Sequence, residues 1–274
     1  MKSSSTKLRK PHSFSNNVRL IWALTGREID VRYRGSFLGF LWSMINPLLL
    51  LGVYTFVFGT VFKARWSSDG ADPSSSASYA VVLFAGLIVF NLFSETLNRA
   101  PTLVLSNANY VKKVVFPLEV LVPVALGNAL FHALVSIIVL LPFVFLVFGQ
   151  IPGTVFYLPL VILPLMLNIL GLGWFLASLG TYVRDIGQII STLTMAALFI
   201  APIFFPATAM PDWARDFLVL NPITVPVEQA RQVTIFGHPP NPVTLGAYSG
   251  VSVIIAVLGL LWFNKTKKGF ADVL

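Results

Sequence analysis

Six long apolar runs, nearly free of charge, constrain this chain more than any other feature. They fall at about residues 37–62, 79–97, 116–148, 154–182, 188–205 and 243–263. About 20 apolar residues in a helix suffice to cross a hydrocarbon core of roughly 30 Å. A soluble domain of similar length needs polar residues to cover its surface, roughly 25% of them charged. Here charged residues make up 11% and apolar residues 56%. The expected fold class is therefore an all-α integral membrane protein with six transmembrane helices.

Charge fixes the expected orientation. Of nineteen Lys and Arg, fifteen lie before the first run, between the second and third, at Arg184, or after the last. Only Lys63, Arg65, Arg215 and Arg231 fall in the alternate connections. Basic residues gather on the cytoplasmic side, so both termini are expected in the cytoplasm of a multi-pass membrane protein. The net charge of +8 then reports topology and implies no nucleic-acid partner. Residues 1–13 read as a disordered polar tail and 265–274 as a basic cytoplasmic tail. Between them, 35–264 form one membrane domain.

Residues 14–34 follow a different rule. Phe14, Val18, Ile21, Trp22, Thr25 and Ile29 recur at helical spacing, with Arg19, Arg27, Arg32 and Arg34 mostly off that stripe. The pattern predicts an amphipathic interface helix, with Trp22 toward lipid and Arg27, Arg32 and Arg34 toward phosphates.

Catalytic readings find little support. The chain has no cysteine, no GxxxxGK[ST] phosphate loop, and three scattered histidines without metal-ligand spacing. No catalytic, cofactor or metal residue is expected. His132 falls inside the third run, where a hydrogen bond between helices is the favoured role. Glu95 and Arg99, four apart near the end of the second run, are expected to pair on one helix face. No chain of carboxylates runs through the apolar segments, which argues against an ion-driven pump.

Three regions remain to carry function. Residues 102–115 contain Ser106, Asn107 and Asn109, then Lys112 and Lys113 ahead of Pro117. Polar N-cap types followed by terminal cations predict a short cytosolic helix, either a connector or a lever gripped by a partner. The outer connection at 209–236, with Trp213, Glu228 and Arg231, is too short to span. It predicts re-entrant gate helices, or simply an outer plug. Finally, Tyr54, Phe58 and Phe62 repeat every four residues on the first run. Aromatic rings at that spacing suit either lipid contact or a flat surface along which sugar rings slide.

Taken together, Arg32-Tyr33-Arg34-Gly35 leading to Asn46-Pro47, Ser106-Asn107-Ala108-Asn109 with Lys112-Lys113 and Phe116-Pro117, Arg184-Asp185, and Asn221-Pro222 with Glu228 and Arg231 carry a resemblance. In that order they resemble the membrane subunits of type-2 ABC exporters for polysaccharides, such as the O-antigen subunit Wzm and the teichoic-acid subunit TagG. The resemblance covers about Val18 to Lys268. It implies a homodimeric permease with two copies of a separate ATPase subunit, which holds ATP and Mg. It also implies that 14–34 is the interface helix, 102–115 the coupling helix, and 209–236 the outer gate. Aromatics of spans one and five, including Tyr54, Phe58, Phe62 and Phe199, would line the glycan path.

The expected function is ATP-driven export of a lipid-linked polysaccharide, most of all O-antigen, by a chain that is itself no enzyme. A membrane-embedded glycosyltransferase or ligase and a passive channel stand as the alternatives.

Overall fold

The computed structural model describes residues 14–62, 66, 76–113, 116–211, 218 and 221–274, and among them every regular element is a helix. Helix α1 covers Phe14–Tyr33 and α2 Trp42–Tyr54, the latter running on through a π-helical turn at Thr55–Val61. Helix α3 (Ser76–Arg99) continues through a 3-10 turn into α4 (Leu103–Ser106), with α5 at Ala108–Lys113. Next come α6 (Leu121–Phe148), α7 (Leu158–Tyr182) and α8 (Ile186–Ile200). The described remainder holds α9 (Thr224–Arg231), α10 (Pro242–Thr266) and α11 (Phe270–Val273).

Among the described residues, five helical stretches are long and apolar enough to cross a membrane: Gly39–Phe58, Ala77–Ser106, Leu118–Phe148, Gly153–Tyr182 and Pro242–Val273. The run expected as a fifth span, 188–205, differs. Its helix has 15 residues and stops at Ile200, a length of about 22 Å. Pro202 is the reason, because a residue before proline is pushed out of the helical region. Ala201 is accordingly extended, at φ −66° and ψ 150°.

Helix α3 is the central post. Of its apolar stretch 83% is buried inside the protein, against 17% for the stretches containing α2 and α10. Helices α6, α7, α8 and α9 all pack against it, so most of its surroundings are protein and most of the surroundings of α2 and α10 are not.

The closest pairing joins α7 to α10. A Cβ on Gly171 would strike the backbone of Ile255 and Ala256, and one on Gly259 would strike the Gly171 carbonyl. Small residues let membrane helices bring their backbones together, where dispersion and helix–helix polar contacts replace the absent hydrophobic drive. Ser178 and Tyr182 of α7 extend the pair by hydrogen bonding Thr266.

Element ends follow their sequence signals. Asn241 caps α10, its side chain accepting from the amides of Val243 and Thr244 at 3.0 and 3.2 Å, with Pro242 in the first turn. Gly149 ends α6 at φ 78° and Gly237 ends the turn after α9 at φ 73°, both in the left-handed region.

One capping expectation fails. Ser106 and Asn107 do not cap α5 from its N-terminal side. Ser106 Oγ donates to the Thr102 carbonyl at 2.8 Å and Asn107 Nδ2 to the Leu103 carbonyl at 2.9 Å. Both turn backward onto carbonyls at the start of α4, and the segment expected as one helix at 102–115 is two short pieces hinged at Asn107.

A Gly259→Val substitution therefore drives a branched side chain into the backbone of α7. Its folded yield in detergent, followed by size-exclusion chromatography and thermal melting, is expected to fall by the equivalent of about 1–3 kcal/mol, whereas Gly246→Ala, whose Cβ would meet nothing within 4 Å, leaves it unchanged.

Candidate functional site

At the end of the molecule where α8 breaks, the carbonyls of Pro202, Ile203 and Phe204 lie outside any helix, and side chains bond them together with the helical carbonyls of Val82 and Ala197. Arg231, 3% exposed, donates from Nε to the Val82 carbonyl at 2.9 Å, from Nη1 to Pro202 at 2.5 Å and from Nη2 to Ile203 at 2.7 Å. Tyr79 donates to the Phe204 carbonyl, and Asn221 Nδ2 to that of Ala197 at 3.3 Å. A guanidinium suits this work because it offers five donors in a rigid plane and no acceptor.

The knot depends on one small residue. Gly86 lies under the guanidinium, and a Cβ there would overlap it. The other face of Arg231 is covered by Trp66, whose ring centroid lies 4.5 Å from Cζ, a cation–π contact that suits a desolvated cation. Glu228, one turn earlier on α9, is half-buried. Burial pushes its carboxyl above the ordinary carboxylate range, with Arg231 pulling the other way.

From this knot an aromatic ladder extends along α2 and α8. Trp66 lies 5.9 Å from Tyr79, and Tyr79 5.5 Å from Phe58. Phe58 also meets Tyr54 at 6.4 Å, Phe62 at 5.8 Å and Phe204 at 6.1 Å, and Phe204 stacks on Phe199 at 5.6 Å. Tyr54, Phe58, Phe62 and Phe199, chosen from two separate runs, are thus joined in one network. Phe62 and Phe199 are 68% and 60% exposed, so the ladder has an open side. Trp66, Tyr79, Phe204 and Gly86 were not singled out from the sequence. The one available signal was that an arginine in an apolar setting needs acceptors, and Pro202 marks where a helix would release them.

The opposite end of the bundle holds a second polar assembly. Glu95 and Arg99 do not pair with each other as expected. Arg32 Nη1 reaches Glu95 at 2.7 Å, and Arg99 Nη2 reaches Glu28 at 2.8 Å. Both α3 charges are taken by α1, which packs across α6 so closely that Thr25 fills the space beside Gly127. Arg32 also donates to His132 Nε2 at 2.9 Å, which leaves His132 Nδ1 to donate to the Tyr33 hydroxyl at 3.3 Å. His132 joins two helices, as expected of it. Arg32, though its side chain is 51% exposed, is therefore engaged by protein groups, whereas Arg34 and the 74%-exposed Trp22 remain outward and Arg27, also exposed, borders a cleft.

Between α1, the end of α3, α4–α5 and α6 lies a cleft of about 670 Å³, reached by Arg27, Asn107 and Tyr110. Asn128 lines it, buried, with an Oδ1 that has no hydrogen-bond partner among the described residues. Ser106 and Asn109, on the α4–α5 segment beside the cleft, are exposed. The side chains of Lys112 and Lys113, and all of Trp213, lie outside the described residues.

A model of the family described as ABC-2 type transporter matches residues 19–235. The chain belongs to that family. It is similar to an O-antigen export system permease protein of Klebsiella pneumoniae, 28% identical over 93% of this chain and 95% of that one. The corresponding Myxococcus xanthus protein is 29% identical over 92% and 94%. A polysialic acid transport protein of Escherichia coli is 26% identical over 90% and 93%. With its apolar helices, this ABC-2 chain is a multi-pass inner-membrane protein. The family match covers α1, the ladder and Arg231 alike.

In this ABC-2 chain, Arg231→Met removes the partner of carbonyls in three places and is expected to cost about 3–5 kcal/mol, by analogy with breaking a buried charge interaction. Gly86→Ala is expected to destabilise by about 1–3 kcal/mol through overlap with the same guanidinium. Thermal melts of the purified protein check both. In the double variant the two losses should fall well short of adding, because the collision partner is already gone.

Proposed function

We propose that this chain is the transmembrane subunit of an ATP-driven exporter that moves a lipid-linked polysaccharide, most of all an O-antigen, across the inner membrane. The observation that carries the reading is the aromatic ladder from Tyr54 to Phe199, open on one side and tied at its end to Arg231. Ring faces contact the C–H faces of sugars without strong directional bonds, so a polymer advances along them without being held at one register. The names of the similar O-antigen and polysialic acid proteins point to the same substrate class.

In this reading α8 completes a sixth crossing, its 15 helical residues extended by the unwound 201–205 segment. Both termini then lie in the cytoplasm, beside the basic segments. The apolar faces of α2 and α8 flank the ladder and carry exposed Leu49, Val53, Phe56, Ile189, Leu193 and Phe199. A second copy of the chain covers them and brings two ladders to face each other. Helix α1 serves as the interface helix, with Trp22 in lipid and Arg27 and Arg34 at phosphates. Helices α4 and α5 form the coupling segment, and the cleft beside Asn128 receives one of two ATPase subunits, which supply ATP and Mg. Residues 209–236 form the outer gate, locked by Arg231.

The power stroke then passes through α4–α5. Lys112→Glu together with Lys113→Glu is expected to lower ATP-coupled polysaccharide export at least tenfold in vesicles holding both subunits, with the permease still folded. Undiminished coupling in that variant would refute the lever. Phe58→Ala should slow export several-fold while ATP hydrolysis continues; unchanged export would refute the ladder as the path. Polysaccharide flux from vesicles lacking the ATPase subunit would refute the whole reading.

A further inference from the structure

Every residue of α3 from Ser78 to Phe90 is buried, and Asn91 is the first that is exposed. It lies eight residues before the end of α3, about 12 Å along the helix. Its amide has no hydrogen-bond partner among the described residues. Asn46 of α2, also exposed and also without a side-chain partner, lines the same cavity of about 250 Å³. An unpaired amide facing hydrocarbon costs about 4–8 kcal/mol, and two that do not pair with each other double the cost. Polar groups kept at this depth face a cavity or a passing ligand.

The lining states which ligand. Ser136 and Ser43 donate their hydroxyl protons to the carbonyls of His132 and Phe40 at 2.8 and 2.7 Å, which leaves their lone pairs free to accept. The two amides offer both donors and acceptors. Arg32 and Glu95 also border the space, but they neutralise each other at 2.7 Å, so no surplus cation is present to attract a phosphate. Phe84, Ile88 and Leu50 complete the wall with apolar surface. Mixed donors and acceptors beside an apolar wall match a neutral polyhydroxyl ring. The volume lies just under the range of about 300–1,000 Å³ for small-molecule pockets, which suits a single ring.

We infer that the cavity between Asn46 and Asn91 is a saccharide subsite at the α1 end of the path, binding the hydroxyls of one sugar ring. It is separate from the ladder, which begins at Tyr54, two turns further along α2. The inference rests on the polysaccharide reading above, and its test keeps the two apart.

The photoreactive residue p-benzoylphenylalanine is placed singly at Asn91, at Phe58 and at the outward Ile254 of α10, which is 59% exposed. The exporter is irradiated in cells making their own polysaccharide, and glycan on the permease band is detected by periodate oxidation and hydrazide labelling. Glycan is expected at positions 91 and 58 and not at 254. Glycan at 58 with only phospholipid at 91 overturns the subsite and leaves the export reading standing. Glycan at neither position overturns both. Because neither amide is used by the fold, Asn91→Leu and Asn46→Leu should assemble normally and export about tenfold more slowly, the scale of losing one or two hydrogen bonds. Asn91→Gln should restore most of the rate. Wild-type export by Asn91→Leu overturns the subsite.

Discussion

A membrane-embedded chain can leave its helical geometry only where something other than water meets the released backbone groups. Here that condition is met at residues 201–204, where Pro202 ends α8 and frees its carbonyls. Arg231 binds those of Pro202 and Ile203 and adds Val82 of the central post, while Tyr79 takes Phe204. One guanidinium thereby ties three elements, α3, the broken end of α8 and α9, and most of that end of the described molecule hangs from it. A charged group so deeply desolvated is costly by itself. The three carbonyls, the Trp66 face and the nearby Glu228 offset that cost together, and no one of them would suffice.

The aromatic ladder inherits its position from this knot. Trp66 and Tyr79 belong to both, the first covering the guanidinium and the second binding Phe204 while touching Phe58. Phe204, held by its carbonyl, in turn supports Phe199. Any movement of α9 that displaced Arg231 would release carbonyls and rings in the same event. The ladder and the Arg231 knot are therefore mechanically one unit. A π-helical turn at Thr55–Val61 sets Phe58 and Phe62 within it, an irregularity of the kind that clusters at functional sites.

At the other end, ion pairs serve placement more than stability. Arg32–Glu95 and Arg99–Glu28 are partly exposed, with side-chain exposures of 25–51%, and such pairs contribute about 0–1 kcal/mol each. Their effect is to set the register of α1 against α3, which in turn shapes the cleft beside Asn128. Lys267 to Glu119 at 3.2 Å fixes the final helix to the start of α6 in the same manner.

The apolar runs and the placement of Lys and Arg by themselves determined that the chain lies in a membrane, and roughly where its helices begin and end, because hydrocarbon excludes charge and unpaired backbone regardless of how helices later pack. Asn241-Pro242, Gly149 and Gly237 were equally local, since capping is decided within one turn. The partners of charged residues were not local. The i, i+4 spacing of Glu95 and Arg99 favoured each other, yet α1 outcompeted both, since an approaching helix offers opposite charges at better geometry. Ser106 and Asn107 turned backward because short polar side chains readily bond a carbonyl one turn earlier on their own helix. Pro202 cuts α8 short by a local effect, but that Arg231, 29 residues later, would meet the released carbonyls over Gly86 was decided only by tertiary structure. A buried cation's acceptors are chosen by proximity in space, which sequence order does not encode.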